Sequence, residues 1–208
     1  MEVSMTKWKT FFDFHKEELW LADMSRNGYR LIKSVNGYYT FDYSNDRTEY
    51  TYKIDYRTFY KDTDYRNYCT LFEDSGWKHI AGSKWSGSQY FVKIRPDAGD
   101  DIFSDNLSRA GRYKRISSLW LSFVFFYSFM LFTVIANKTI ALNQFYLTPG
   151  LWDMKGWHFV KAFAFETPFA LLRLFPFVIY PVIIAYYVYF AIKSLTLYKK
   201  EMKNRYNV

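Results

Sequence analysis

Residues that could catalyse a reaction or bind a metal are few and scattered in this sequence. His15, His79 and His158 lie far apart, and Cys69 is the single cysteine. A usual metal site needs several His or Cys a few residues apart, and a catalytic nucleophile needs a base within a recognisable motif. We therefore expect no metal, no cofactor and no catalytic residue.

Two acidic pairs, Glu17-Glu18 and Glu73-Asp74, resemble acid–base pairs. Neighbouring residues of a helix point in different directions, so neither pair converges on one substrate atom. We interpret both as solvated helix faces. An enzymatic role is therefore not expected.

Aromatic residues are the unusual part of the composition, at 23% of the chain with 20 Tyr and 21 Phe. Tyr and Trp bury a large area and carry one polar end, which suits a hydrophobic core, a ligand pocket or a protein interface. The core and the pocket both remain open as interpretations. The candidate ligand- or partner-binding residues are Trp77, Tyr90, Trp85, Tyr52 and Trp20.

The N-terminal part alternates between the periods of a strand and a helix. Lys7–Phe14 predicts a strand and Glu17–Asn27 a helix, with Gly28 as its left-handed cap. Tyr29–Val35 and Tyr38–Tyr43 predict two strands around the turn Asn36-Gly37.

The same order then recurs. Glu49–Arg57 predicts a strand, Tyr65–Ser75 a helix capped by Gly76, and Trp77–Trp85 and Gln89–Arg95 two more strands. The repeat predicts a duplication with a period of 48 residues, set by Gly28 and Gly76. We expect residues 1–96 to form an α+β domain, a duplicated strand–helix–strand–strand with antiparallel sheet and two helices.

Several segments of this domain also match a known family. They are Glu17-Glu18-Leu19-Trp20-Leu21, Tyr50-Thr51-Tyr52-Lys53-Ile54-Asp55-Tyr56-Arg57 and Leu71-Phe72-Glu73-Asp74-Ser75-Gly76-Trp77. In these segments, within about residues 7–95, the chain resembles the bacterial family called domain of unknown function 2812. The resemblance implies a membrane segment after the domain and no established activity. The predicted topology is also similar to that of ligand-binding domains of gyrase-inhibitor-like regulators, a likeness of fold alone.

A membrane segment is predicted independently. Ser117–Asn137 holds 21 residues without a charge, and crossing a bilayer takes about 20 apolar residues. A second span is predicted at about 170–192, kinked by Pro176 and Pro181. The two spans predict a transmembrane hairpin over 117–198.

Charge is distributed unevenly around these spans. Residues 1–108 hold 15 Lys and Arg against 17 Asp and Glu, whereas residues 109–208 hold 13 against 3. Residues 97–116 are expected to be an acidic linker with a basic collar, and residues 199–208 a basic tail. Because cations flank cytoplasmic ends, both termini are expected in the cytoplasm of a multi-pass cell-membrane protein. The predicted membrane-interface residues are Arg112, Lys114, Arg115, Trp152, Trp157, Arg173, Lys199 and Lys200.

The connection at residues 138–168 is rich in aromatic residues. It predicts either an interfacial helix after Pro149, capped by Thr148, or an aromatic belt, and both remain open.

The sequence predicts function only at the level of a membrane-anchored domain. We expect a membrane-anchored, non-enzymatic regulatory or sensor module, whose cytosolic domain binds a protein or a small apolar ligand. The alternative is an accessory subunit of a larger integral membrane complex such as a transporter. The partners expected are the lipid bilayer and a membrane or cytosolic protein. Nucleic acid is not expected, because the soluble half lacks a basic excess.

Overall fold

The computed structural model describes residues 4–45, 47–136 and 145–203. These residues fall into two compact units, one within Met1–Ile116 and Ser194–Val208, the other within Ser117–Lys193. The elements are, in order, β1 (Ser4–Trp8), α1 (Phe14–Arg26), β2 (Tyr29–Val35), β3 (Tyr38–Tyr43), β4 (Tyr52–Tyr56), α2 (Asp62–Asp74), β5 (Trp77–Ala81), β6 (Ser88–Lys93), α3 (Asn106–Ala136), a 3-10 turn (Leu151–Asp153) and α4 (Gly156–Lys203).

The described strands form two antiparallel sheets, sheet A with order β1-β3-β2 and sheet B with order β4-β6-β5. Each belongs to one strand–helix–strand–strand module. β4, α2 and β5 begin 48 residues after their counterparts β1, α1 and β2. The predicted α+β fold and its duplication are therefore confirmed.

The two sheets share an irregularity. The register of β2 against β3 shifts between Leu31 and Lys33, and that of β5 against β6 shifts between His79 and Ala81. The extra residues are Ile32 and Ile80, again 48 apart. A bulge twists its strand and redirects the side chains around it, so both modules bend their outer strand at the equivalent position.

The predicted helix caps and hairpin turn are confirmed by backbone geometry. Gly28 and Gly76 have φ of +84° and +87°, and Asn36 and Gly37 have φ of 50° and 81°. A Cβ on Gly28 would lie 2.5 Å from the carbonyl oxygen of Ser44. Glycine is therefore required there by both conformation and space.

Two strands end at least four residues earlier than predicted. The strand predicted to reach Phe14 stops at Trp8, because the Asp13 side chain accepts a hydrogen bond from the His15 amide and begins α1. Phe14 then enters the core from the helix. The strand predicted to reach Trp85 ends at Ala81, before Gly82 with φ of 114°.

The first unit has two apolar clusters among its described residues. The larger joins α1 with both sheets and includes Leu21, Phe41, Ile54 and Tyr113. The smaller lies between α2 and sheet B and contains Tyr68, Trp77 and Phe91. Helix α1 contacts both β2 and β4, so the first module's helix holds the two modules together.

The residues predicted as a linker are folded into this unit. Helix α3 begins at Asn106, where the Asp105 side chain accepts hydrogen bonds from Ser108. Asp101 pairs with Lys53 at 3.8 Å and also with Arg109. Residues 97–116 therefore extend the domain, and the predicted boundary at residue 96 is too early.

The second unit contains two helices long and apolar enough to cross a membrane. The predicted first span corresponds to α3 up to Ala136, and Asn137 lies outside the described residues. Within this unit the ring of Tyr187 on α4 stacks against Trp120, Phe123 and Tyr127 of α3 at centroid distances of 5.0 to 5.8 Å. Helix α4 is longer than the predicted span and contains Pro168, Pro176 and Pro181.

Part of the aromatic connection packs through polar contacts. Residues 138–144 lie outside the described residues. The helix predicted after Pro149 starts later than expected: the 3-10 turn Leu151–Asp153 follows Pro149, and α4 begins at Gly156. The Thr148 hydroxyl, predicted as its cap, donates to Glu166 at 2.8 Å. Arg173 donates to Glu166 at 2.6 Å and to the Phe145 carbonyl at 2.7 Å. These bonds hold the segment after residue 144 against α4.

Candidate functional site

A groove opens where the two modules of the first unit meet. We call it the module-junction groove; its volume is about 490 Å³. It lies where β2 approaches β5, next to the inner face of sheet B. Its apolar lining consists of Leu31, Ile32, Tyr50, Tyr52, Ile80, Val92 and Ile94.

The duplication shapes this groove. Both bulged residues, Ile32 and Ile80, line it from opposite modules. Ile32 is 51% exposed and Ile94 is 54% exposed, so aliphatic surface faces solvent on both sides. Tyr52 is buried and forms part of the inner wall. An apolar molecule in the groove would therefore contact equivalent strands of both modules.

Polar groups lie beside the apolar lining. They are Arg30, Asp42, Lys78 and His79. The Arg30 guanidinium lies 5.0 Å from the Tyr50 ring centre, within cation–π range. The His79 ring packs against Tyr65 of α2 and against Phe91, so the charged groups beside the groove are Arg30, Asp42 and Lys78. An apolar body with a few polar neighbours is typical of a small-molecule site.

Of the predicted ligand residues, Tyr52 alone is among the described residues lining the groove. Trp77 is 1% exposed in the core between α2 and sheet B. Trp20 is half-buried, 5.0 Å from the Tyr39 ring. Trp85 is exposed beside Tyr60.

Tyr90 takes part in a buried polar network. Its hydroxyl donates to Glu17 Oε1 at 2.7 Å, and the Tyr39 hydroxyl donates to the same oxygen at 2.6 Å. Ser34 in turn donates to the Tyr90 hydroxyl at 3.1 Å. Burial raises the pKa of Glu17, although the two phenol hydrogen bonds oppose the rise. The predicted solvated position of Glu17 is therefore wrong.

Glu18 is also buried, and its carboxylate accepts a hydrogen bond from Arg112 of α3. Arg112 Nη1 donates to Glu18 Oε1 at 2.5 Å and to the Ile54 carbonyl at 2.7 Å. The same Glu18 oxygen accepts the Ile54 amide at 3.1 Å. Burial opposes the charge of Arg112, but Glu18, Tyr113 and Glu201 together raise the guanidinium pKa above its ordinary value.

A second arginine of α3 repeats the arrangement one turn later. Arg115 donates to the Asp55 carboxylate and to the Tyr56 carbonyl. Asp55 is 2% exposed and also accepts the Tyr68 hydroxyl at 3.0 Å. We call the bonds of Arg112 and Arg115 to α1 and β4 the α3 latch. The latch occupies the edge of β4 opposite β6 and so covers polar groups that a sheet edge would expose.

The latch changes the interpretation of the cations that were predicted to lie at the membrane interface. Arg112 is 2% exposed, so a lipid headgroup has no access to it, and that prediction is corrected. Arg115 is engaged by Asp55, whereas Lys114, Lys199 and Lys200 are exposed. Trp152 and Trp157 are 68% and 67% exposed, and Arg173 is bound to Glu166.

The spacing of three arginines in the sequence indicates that they could bind a common surface, as two of them do in the latch. Arg109, Arg112 and Arg115 recur every three residues, which places them close to one face of a helix. Their partners were harder to find. Glu18 was interpreted as solvated. The alternation in β4 places Asp55 on the face opposite Ile54, and nothing in that pattern shows that Tyr68 of α2 covers this face.

A second cavity of about 540 Å³ borders the latch. Glu18 and Arg112 line it together with Lys53, Asp101 and Arg109, and Leu197, Lys200 and Glu201 of α4 line it too. Its walls mix both charge signs, mostly in ion pairs. Among the described residues no group of three or more His, Cys, Asp or Glu could hold a metal ion.

Comparison with known proteins identifies a family. The family model described as a protein of unknown function, DUF2812, matches residues 13–125. No curated protein matches the chain, and no solved structure matches it. The matched residues include the second module, the first module apart from β1, the α3 latch and part of the apolar segment of α3.

Proposed function

We propose that this chain, which belongs to the DUF2812 family, is a membrane-anchored regulatory or sensing module that binds a small apolar ligand. The observation that carries the proposal is the module-junction groove, with its aliphatic lining from both modules and its few polar neighbours. Such a surface can hold a ligand by burial and orient it by a hydrogen bond or a charge. The proposed role is binding and not catalysis.

Membrane anchoring is supported by the two helices of the second unit. The most apolar 18-residue stretches of α3 and α4 are 0% and 6% buried within the protein. Apolar side chains such as Phe125, Phe132 and Leu172 are therefore left for lipid. We place both termini in the cytoplasm from the bias of Lys and Arg.

Photolabelling tests the ligand site. The full-length protein in lipid nanodiscs would be treated with diazirine analogues of decanoate, decylamine and decanol, and labelled peptides would be located by mass spectrometry. We expect at least one probe to label β2 and β5. The groove-filling variant Ile32→Trp should lose the labelling, whereas Val35→Trp, at an exposed position of the same strand outside the groove lining, should keep it. Equal labelling of both variants would refute the site.

Reporter fusions test the orientation. A reporter active only in the cytoplasm should work after Val208 and be silent near Asn143, two positions outside the described residues. The reverse pattern would overturn the assigned orientation.

A second candidate function is that of an accessory subunit in a larger membrane complex. The exposed apolar faces of α3 and α4 favour it, because they could contact another membrane protein as well as lipid. Purification in mild detergent should then recover a stoichiometric integral membrane protein. Its recovery with wild type and with Ile32→Trp alike would favour this second role.

A further inference from the structure

One short strand belongs to both the groove and the latch. Tyr52, the first residue of β4, lines the groove. Ile54, Asp55 and Tyr56, at the other end of the same strand, supply the amide, carbonyls and carboxylate that bind Glu18, Arg112 and Arg115. The two sites are therefore two residues apart along β4.

The latch also holds the start of a continuous helix. α3 extends from Asn106 to Ala136, from the latch into the apolar segment. Beside the latch, Tyr113 is 1% exposed in the main core, and its hydroxyl donates to Asp13 at 2.9 Å. The first turns of α3 thus form part of the domain that contains the groove.

We propose that β4 couples the two sites, so that filling the groove changes how firmly the latch holds α3. This regulation rests on the proposed function for its ligand. Tyr52 pairs with Val92 across the sheet, and both residues line the groove. A ligand that shifts this pair shifts the strand that positions Asp55 and the Ile54 carbonyl.

The latch is sensitive to such a shift because its two carboxylates, of Glu18 and Asp55, and the guanidinium of Arg112 are buried. Asp55 is 2% exposed and already shared between Arg115 and Tyr68. Close-packed interiors transmit small displacements instead of absorbing them. A buried carboxylate without its cation is strongly unfavourable, so a movement of β4 that separates Asp55 from Arg115, or the Ile54 carbonyl from Arg112, weakens the latch.

The charges facing the latch come from several elements. Lys53 lies 3.7 Å from Glu18, and Arg57 lies 3.8 Å from Asp55. His15 lies 3.9 Å from Glu18. Glu201 of α4 lines the adjoining cavity. We expect the coupling to act through a movement of β4, without a change in the protonation of these groups.

Hydrogen exchange of the full-length protein in nanodiscs tests the coupling without a ligand. Ile32→Trp fills the groove from β2 and Ile94→Phe from the residue that follows β6, and Val35→Trp is the matched control. We expect each filling variant to change amide exchange in residues 106–116 by about fivefold or more, the lower end of usual coupling energies. The control should change it less than twofold.

The reverse experiment uses reciprocity, because coupling must act in both directions. Arg115→Gln should change exchange in residues 52–56 and alter the yield of decanoate photolabelling in the groove. Exchange within α2 reports whether each variant remains folded. A variant that unfolds α2 is replaced by the milder Ile80→Phe.

The outcomes separate the two proposals. Unchanged exchange in residues 106–116 for every folded filling variant would overturn the coupling, whatever binds in the groove. Altered exchange together with absent photolabelling would support the coupling and remove the ligand-binding function. Labelling without altered exchange would leave a ligand site that does not act on α3.

Discussion

Replacing Arg112 by methionine would test whether α3 is part of the domain or only a tether. Arg112→Met keeps much of the apolar stem but removes the bonds to Glu18 at 2.5 Å and to the Ile54 carbonyl at 2.7 Å. Glu18 is 5% exposed and would remain buried with the Ile54 amide and Lys53, at 3.7 Å, as its nearby partners. Breaking a buried ion pair from one side costs about 3–5 kcal/mol. We expect the lower part of that range, because Lys53 offsets some of the charge.

The measurement is native-state hydrogen exchange of the full-length protein, which gives the free energy of opening for α1 and β4 separately. Lys114→Met is the matched control, since Lys114 is exposed on the same helix and should change this free energy by less than about 0.5 kcal/mol. The double variant Glu18→Gln with Arg112→Met should recover part of the loss, because no charge is left buried. An Arg112→Met variant as stable as Lys114→Met would refute the latch.

Three further predictions concern the domain core. Gly28→Val and Gly76→Val should each lower the free energy of unfolding by more than about 1 kcal/mol, measured by urea unfolding, because both positions have positive φ; two unchanged midpoints would contradict this. Trp77→Ala should cost about 3–5 kcal/mol and the exposed Trp85→Ala almost nothing, by thermal unfolding. Because burial raises the pKa of Glu17, its contribution to stability is complete below the ordinary value of about 4.3 and is lost as pH rises through the raised pKa. Glu17→Gln should therefore gain stability relative to wild type as pH increases, and a constant difference would exclude this effect.

The modular fold was predictable because the same local sequence pattern occurs in both modules. The hairpin turn Asn36-Gly37 and the caps Gly28 and Gly76 depend on local backbone chemistry, which a sequence displays directly. The period of 48 residues then fixed the second module from the first. Strand ends were less predictable, since the cap at Asp13 overrode the alternation that continued to Phe14.

The candidate site was less predictable, because it depends on contacts distant in sequence. The aromatic surplus left a core and a pocket open as interpretations. Trp77 packs under α2, and the apolar part of the described groove lining is mostly aliphatic. Arg112 meets Glu18 across 94 residues. Before the fold is known, such a cation beside an apolar helix is indistinguishable from one that binds headgroups.

The unequal burial of the duplicated helices has a consequence for how much sequence change each module can accept. Six residues of α1 are buried, Phe14, Glu17, Glu18, Leu21, Met24 and Ser25, whereas in α2, which the structure describes in full, only Tyr68 is buried. Each buried position restricts size and polarity, while exposed ones tolerate most replacements. A saturation screen scored by protein abundance should therefore find α1 restrictive on several faces and α2 permissive outside its contact with sheet B. The difference in burial thus leaves the outer face of α2 more open to sequence change than that of α1.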